Sequence, residues 1–321
     1  MTNPTYLHIK ESRSWVMSVL SGAYFHDEAA AFAKLESIVW PDGPVCRHCG
    51  GMEKVYEIKG KSARIGLKKC GHCRKQFTVK VGTVFESSHV PLVKWFQAAY
   101  LMASSKKGIS AHQLHRTLEV TYKTALFMCH RLQEAMRSGG FDVMGGDGGI
   151  VEVDETFIGN DRTIKPKHTK KGRGYAHKHK VLALVDRTTG KVRSMVVDDL
   201  KAKTLVPILK ENIDRETHVM TDEAGQYRYL DREFEHDFVR HGQGEYGRGE
   251  IHTNTIEGYF SIFKRGMKGV YQHCAKRHLH RYLAEFDFRY NERKVPDADR
   301  ADALLVGVVG RRLTYRHSLA T

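Results

Sequence analysis

Asp154, Asp222 and Glu257 are the residues of this chain best suited to do chemistry, and Lys264 follows the last of them by seven positions. Two sit in strand-like strings, "GIVEVDETFIG" and "ETHVMTDEAGQY", and the third opens a helix-like string, "HTNTIEGYFSIFKRG". Carboxylates are the ligands that hard Mg²⁺ or Mn²⁺ prefer. A pair of such ions can activate a nucleophile and steady a leaving oxyanion in line, which is how phosphodiesters are cut and joined. Each acid also has a plainer explanation. Asp154 and Asp222 could be turn formers at strand ends, with Glu155 and Glu223 solvated beside them, and Glu257 could pair with Asn254 in a capping box. A helix from residue 254 argues for more than capping. It lines Ile256, Tyr259, Phe260 and Phe263 along one face and gathers Asn254, Glu257, Ser261 and Lys264 on another, with Lys264 two turns below Glu257. A metal-facing Glu with a Lys able to touch phosphate makes use of that polar stripe.

A second cluster is local. Cys46/Cys49 and Cys70/Cys73 form two C-x-x-C pairs, each able to span one edge of a tetrahedron from a tight turn. A redox dithiol would need only one pair, so the spacing predicts one structural Zn²⁺ in a ribbon. His48 and His72 lie inside the knuckles as potential substitutes, although four thiolates already complete the shell. Cys129 and Cys274 read as ordinary thiols.

The elements that position these groups follow from periodicity. "DEAAAFAKLESIVW" predicts a helix using Phe32, Leu35, Ile38 and Val39. Strand-like runs at Val55 to Ile58 and Ala63 to Leu67 lie between the cysteine pairs, and a helix is expected from Pro91 towards Ser104. Residues 108–136 read as helix, tight turn, helix. Thr121, Tyr122, Lys123 and Thr124 lead the second helix, where a major-groove reader would contact DNA; two packed helices of a connecting bundle fit the same pattern. Beyond a glycine-rich stretch come three strands (Ile150 to Ile158, Val181 to Val185, Val192 to Val197), a helix using Leu205, Ile208, Leu209 and Ile213, and a strand ending at Asp222. This is the core order of an RNase H-like sheet, in which a right-handed crossover sets the first and fourth strands side by side in parallel. Asp154 and Asp222 would then meet.

The fold class expected is therefore α/β: an RNase H-like catalytic domain (150–295) preceded by a helical segment (1–40), a zinc ribbon (41–86), a helix-turn-helix-type region (87–138) and a glycine-rich linker (139–149). A C-terminal helical tail (296–321) follows, and the last forty residues, "RYLAEFDFRYNERKVPDADRADALLVGVVG", read as helices that pack on the catalytic domain and are interrupted by Pro296.

With 52 Lys and Arg against 37 Asp and Glu, the formal charge of +15 is spread along the chain, which favours an extended polyanion-binding surface over a basic tail. No basic amphipathic helix supports an anionic membrane surface instead. No apolar run spans a bilayer and no signal peptide opens the chain, so a cytoplasmic protein is expected. The loop "IKPKHTKKGRG" concentrates Lys165, Lys167, Lys170, Lys171 and Arg173 where it would meet a DNA backbone, if it is not simply solvated. His236 and His252 carry no assigned role.

Beyond these features the chain resembles the DDE transposases of bacterial insertion sequences, in the group with an N-terminal zinc ribbon. The strings "FHDEAAAFAKLESIVWPDGPVCRHCG", "VGTVFESSHVPLVKWFQAAYLMASSKKGISAHQLHR", "VEVDETFIG", "TDEAGQY" and "HTNTIEGYFSIFKRG" carry the likeness over nearly its whole length, and the 34 residues between Asp222 and Glu257 look like the usual DDE spacing. The resemblance implies an enzyme that binds the terminal inverted repeats of its element on double-stranded DNA, nicks to free a 3′-hydroxyl and transfers that end to target DNA. It implies two Mg²⁺ or Mn²⁺ ions on Asp154, Asp222 and Glu257, Lys264 on a phosphate near the scissile bond, and a homo-oligomeric synaptic complex. Members of the group vary at the third position, some using an Asn, so Asn254 is a candidate partner there beside Glu257. A DNA-binding regulator with a silent catalytic domain, or a nuclease that only cuts, are the competing expectations.

Overall fold

A computed structural model describes residues 18–137, 142–161, 164, 168–169, 172–173, 175–240 and 251–314. Helix α1 (Glu28–Val39) begins where Asp27 accepts the Ala30 N–H at 2.7 Å, and it buries Ala31, Phe32 and Leu35. A small antiparallel sheet follows, β1 (Val55–Glu57), β2 (Lys68–Cys70) and β3 (Gln76–Phe77). The second strand lies later than its sequence suggests. Residues 63–67 form turns instead, because Gly66 takes a left-handed conformation (φ +69°) and Leu67 bonds back to Arg64.

Helices α2 (Leu92–Ser104), α3 (Ala111–Leu118) and α4 (Tyr122–Met136) come next. Thr121 caps α4 through the Thr124 N–H at 3.2 Å. The α3–α4 turn passes through Glu119 in a left-handed conformation. Ile109, Leu114 and Leu118 are buried, as are Ala125, Cys129, Leu132 and Met136, so both expected apolar stripes face a core.

The larger sheet contains β4 (Ile150–Ile158), β7 (His179–Asp186), β8 (Val192–Val197), β9 (His218–Asp222) and β10 (Glu235–Val239), in the spatial order β10-β9-β4-β7-β8. A two-stranded ladder, β5 (His168–Thr169) and β6 (Gly172–Arg173), lies within the β4–β7 connection. Strands β4, β7 and β8 are antiparallel, whereas β9 and β10 run parallel to β4, the crossover being made by α5 (Ala202–Asn212). That is the RNase H-like topology. Val151 and Val153 pack with Leu205 and Leu209 of α5 on one face. The other face is covered by α6 (Asn254–Gly266) and α7 (Lys276–Asn291), which pack against Val181, Ala183 and Val185. A π-helical turn, Met267–Tyr271, joins these two helices.

Two expectations change. The second half of the glycine-rich stretch is not slack, since Met144 is buried, bridges to Ile213 and sits in the core with α5. Of the last forty residues, α7 packs on the larger sheet as expected, whereas α8 (Asp297–Val306) does not pack chiefly there. Its Ala301, Leu304 and Leu305, with Val308 beyond it, join the core built by α1, α2 and α4, and Lys34 pairs with Asp302 at 2.8 Å. An amphipathic helix advertises an apolar face without saying which core will take it. Pro296 does separate α7 from α8, as N-cap of the latter.

Candidate active site

Asp154 stands on β4 opposite Ala183 of β7. On its other side, β4 and β9 pair from Ile150↔His218 to Glu152↔Met220, and the same register continued for two residues sets Asp154 beside Asp222. Adjacent parallel strands present register partners on the same face, so both carboxylates point towards α6. Burial pushes the Asp154 carboxyl up to about 7, and the negative charges of Asp222, Glu155 and Glu257 push it in the same direction, against one Glu155 N–H bond of 2.7 Å that lowers it. All three predicted acids therefore share one electrostatic environment.

The polar and apolar faces of α6 fall as the sequence predicts. Ile256, Tyr259, Phe260 and Phe263 are buried, while Asn254, Glu257 and Ser261 are exposed and Lys264 is half-buried. The Lys264 ammonium is pushed below its usual value by burial and by Lys268 and Lys178, with Asp154 opposing, so this lysine lies in the field of the acidic site.

The capping box does not form. Thr253 is the N-cap and Asn254 the first helical residue, while Glu257 accepts from the Thr253 hydroxyl at 3.4 Å. The helix start is capped instead by an acid from the sheet. Glu152, fully buried and two residues before Asp154 on the same face of β4, accepts the Ile256 N–H at 2.8 Å through Oε2 and the Arg187 Nε–H at 2.6 Å through Oε1. Arg187 also donates from Nη2 to the His252 carbonyl at 2.5 Å and approaches that residue's ring Nδ1 at 2.8 Å. Strand, β7–β8 turn and helix start are thus tied by one buried anion, which fixes where Glu257 stands relative to Asp154.

On the opposite face of β4, Glu155 accepts from the Tyr227 hydroxyl and from Gln226 Nε2 at 3.3 Å. Burial pushes its carboxyl up to about 6, with Asp222 adding to the rise and Tyr227 opposing it. His236 bonds Thr221, whose hydroxyl donates to the Asp222 carbonyl at 2.8 Å, so it steadies the strand end. Glu152 carried a usable signal in the sequence: it alternates with Val151 and Val153, which assigns it to the Asp154 face.

Among the described residues, the four cysteines are the one ligand group whose atoms all lie within 4.8 Å. The carboxylates gather more loosely. A two-ion site does not need them closer, because outer ligands of ions about 3.5–4 Å apart stand well away from one another. The donor set, all hard oxygen, fits Mg²⁺ or Mn²⁺. The thiols fit zinc: a tetrahedron with bonds of about 2.3 Å has edges of about 3.8 Å, and the Cys46–Cys73 and Cys49–Cys70 sulfurs lie 3.7 and 3.6 Å apart.

Of the expected DNA contacts, Thr121, Tyr122 and Lys123 are exposed at the start of α4, with Tyr122 stacked on His112 at 4.3 Å, while Thr124 is partly covered. The other end of α4 is committed elsewhere, Gln133 donating to Glu285 of α7 at 2.8 Å. The helix both presents an exposed tip and braces the catalytic half. Arg173 lies on β6, and Lys165, Lys167, Lys170 and Lys171 lie outside the described residues.

Residues 147–291 match the ISXO2-like transposase domain and residues 26–76 the transposase zinc-ribbon domain. Over 296 residues the chain is 30% identical to an uncharacterized protein in transposable element ISH50 of Halobacterium salinarum (strain ATCC 700922 / JCM 11081 / NRC-1), spanning 88% of this chain and 97% of that protein. The chain belongs to this insertion-sequence transposase family. The transposase is also 28% identical over 106 residues to an uncharacterized transposase-like protein of Haemophilus influenzae (strain ATCC 51907 / DSM 11121 / KW20 / Rd), covering 33% of this chain and 85% of that one. Two solved structures overlap it loosely. One is the HTLV-2 integrase catalytic core domain in complex with magnesium, at 12% identity and TM-score 0.25, covering 44% of this chain and 84% of that one. The other is a simian T-cell lymphotropic virus intasome in complex with PP2A regulatory subunit B56 gamma, at 13% identity and TM-score 0.26, covering 54% and 67%. The zinc-ribbon match of the transposase contains all four clustered cysteines, and the transposase-domain match contains Asp154, Asp222, Glu257 and Lys264.

Proposed function

We propose that this transposase binds the terminal inverted repeats of its element, nicks them and joins the freed ends to target DNA, using Asp154, Asp222 and Glu257 as ligands for Mg²⁺ or Mn²⁺. The observation that carries the reading is the parallel pairing of β4 with β9 up to Glu152↔Met220, a register whose continuation brings Asp154 and Asp222 together beneath a helix that presents Glu257 and Lys264. When bound, the two ions supply activation of the attacking oxygen and stabilisation of the leaving one. The protein's part is positional. Asp154 is held by β7 and Asp222 by β10, Glu257 by the helix that Glu152 caps, and Lys264 would neutralise a phosphate beside them. Water attack at the end of the element gives a 3′-hydroxyl and a 5′-phosphate; attack of that hydroxyl on target DNA forms one phosphodiester as another breaks. Asn254 precedes Glu257 by one turn and would assist at the third position. Thr121, Tyr122, Lys123 and Thr124 at the α4 tip, with Lys165, Lys167, Lys170, Lys171 and Arg173, would contact double-stranded DNA, and a homo-oligomer would hold two ends. Cys46, Cys49, Cys70 and Cys73 would hold one Zn²⁺ that does no chemistry. No helix among the described residues is long and apolar enough to cross a membrane, and a cytoplasmic location suits a DNA substrate.

The test is a joining assay with the element's own ends and Mg²⁺ or Mn²⁺. Asp154→Asn and Asp222→Asn should each lose nicking and transfer while retaining end binding. Full transfer by either variant would refute the site, and nicked product that never joins would point to a nuclease.

A further inference from the structure

A cavity of about 570 Å³ opens where the α2–α3 turn meets the C-terminal end of α6 and the α7–α8 corner. Its lining carries six cations, Lys106, Lys107, Arg265, Arg289, Arg293 and Arg300, against one carboxylate, Asp297. Arg300 is committed to the fold, bonding Asp297 and the carbonyls of Ala103, Glu292 and Val295. Lys106, Lys107 and Arg265 are exposed at the rim. Arg289 is the second and independent observation. It is 8% exposed and lies over the Phe286 ring at 4.6 Å, and its Nη1 serves the Ser105 carbonyl and Glu285, yet its buried Nε and Nη2 have no hydrogen-bond partner among the described residues. A buried guanidinium with idle donors is costly unless an acceptor arrives, and oxygen anions are the acceptors it fits best.

We propose that this cavity seats a backbone phosphate of the DNA whose scissile bond lies at the acidic site. The inference rests on the reading of that site as DNA-processing. Helix α6 carries Glu257 at its start and Arg265 at its end, and eight residues of helix measure about 12 Å. One DNA strand covers that distance in about three to four nucleotides. Gly266 makes the junction possible: a Cβ there would lie 2.4 Å from Phe286 and 3.0 Å from the Lys107 carbonyl, so only glycine lets α6 meet the α2–α3 turn this closely. A phosphate seated there would bind both halves of the chain at once.

The experiment measures the affinity of the full chain for a duplex spanning both halves, across a salt series without added Mg²⁺ or Mn²⁺. The double variant Lys107→Gln/Arg265→Gln is compared with Lys294→Gln, which removes an exposed charge nearby that does not line the cavity. The double variant should lower the slope of log affinity against log salt by about 0.9 for each phosphate no longer neutralised. Its deficit relative to wild type should then shrink about three- to fourfold per such phosphate over a fourfold rise in salt. Lys294→Gln should leave the slope unchanged. An unchanged slope in the double variant, or an equal change in Lys294→Gln, overturns the proposal. Inorganic phosphate at constant ionic strength is the second arm. A wild-type melting temperature that it raises, and that the double variant does not share, together with equal salt slopes for DNA in the two proteins, would make the occupant a free anion and overturn the DNA assignment. Because binding is read without the catalytic metal, a flat slope with intact cleavage removes this site alone, whereas lost cleavage chemistry with the slope change intact removes only the catalytic reading.

Discussion

Arg187→Met is the most informative single change, because it removes the partner of a buried charge without touching the three acids. Glu152 has no exposed surface, and Arg187 gives it a bond of 2.6 Å while retaining 15% exposure of its own side chain. At that separation, with an effective dielectric of about 20, the attraction is about 6 kcal/mol. Part of this is recovered as Arg187 no longer needs desolvation, so a loss of about 3–5 kcal/mol is expected, as for other broken buried pairs. Glu152→Gln keeps an acceptor for the Ile256 N–H and drops the charge. The double variant should therefore be more stable than Arg187→Met by about 2 kcal/mol, a coupling of the size that residues in contact show. Tryptophan fluorescence would miss the effect, since Trp15, Trp40 and Trp95 all lie in the N-terminal half. Amide hydrogen exchange along 254–266 reads it directly, with protection of the first turns of α6 falling at least about a hundredfold in Arg187→Met and returning in part in the double variant. Metal-dependent nicking should fall alongside, because Glu257 loses its placement, while end binding persists. If Arg187→Met costs less than about 1 kcal/mol, or Glu152→Gln recovers nothing in its background, Glu152 does not clamp α6.

Two further outcomes can be checked independently. Cys70→Ser, or stripping with a strong chelator, should take bound zinc from one equivalent to none, measured by elemental analysis. It should expose β1 to β3 to proteolysis while leaving exchange in β4 and β7 protected, since the thiolates hold the short ribbon strands together and the larger sheet has a separate core. His130, buried against His278 at 4.7 Å, is pushed down to about 3 by burial first and then by His278, Arg281 and His280, with Glu134 opposing. Its folded value lies below the unfolded one of about 6.5, so the unfolded chain takes up the proton first and stability falls as pH drops below about 6.5. Between about pH 7.5 and 5, wild type should lose about 2 kcal/mol more than His130→Gln in denaturant titrations followed by tryptophan fluorescence, which suits this half of the chain. Equal losses would place the proton elsewhere.

How much of the fold and site was legible beforehand depended on how local each signal is. The cysteine pairs needed only turns, and the strands that carry Asp154 and Asp222 announced themselves by apolar runs ending in an acid, so both were readable. Strand β10 was not, because "EHDFV" on an exposed edge shows little apolar character and only Val239 is fully covered. The clamp was half readable: alternation with Val151 and Val153 puts Glu152 on the Asp154 face, but nothing in "DRTTG" or "IHTN" declares that Arg187 and His252 will meet it. Asn254 was a reasonable cap by local rules, and it lost the role because a carboxylate from the sheet reached the helix start first.

That substitution has a consequence for how the site holds its shape. Asp154 is fixed by its pairing with Ala183 of β7 and Asp222 by its pairing with Val239 of β10, whereas Glu257 stands on a helix laid across the sheet, whose position along it depends on its own anchors. Helix α6 is held at its first turn by Glu152 and at its last by the close approach of Gly266 to Phe286 and the Lys107 carbonyl. The first restraint belongs to the larger sheet, and the second is shared between Phe286 of α7 and the α2–α3 turn of the N-terminal half. Glu257 therefore takes its position from both halves of the chain. Arg187→Met should loosen α6 from its beginning, and a larger side chain at Gly266 should loosen it from its end, so exchange that spreads from opposite ends of 254–266 in the two variants is what two separate anchors require.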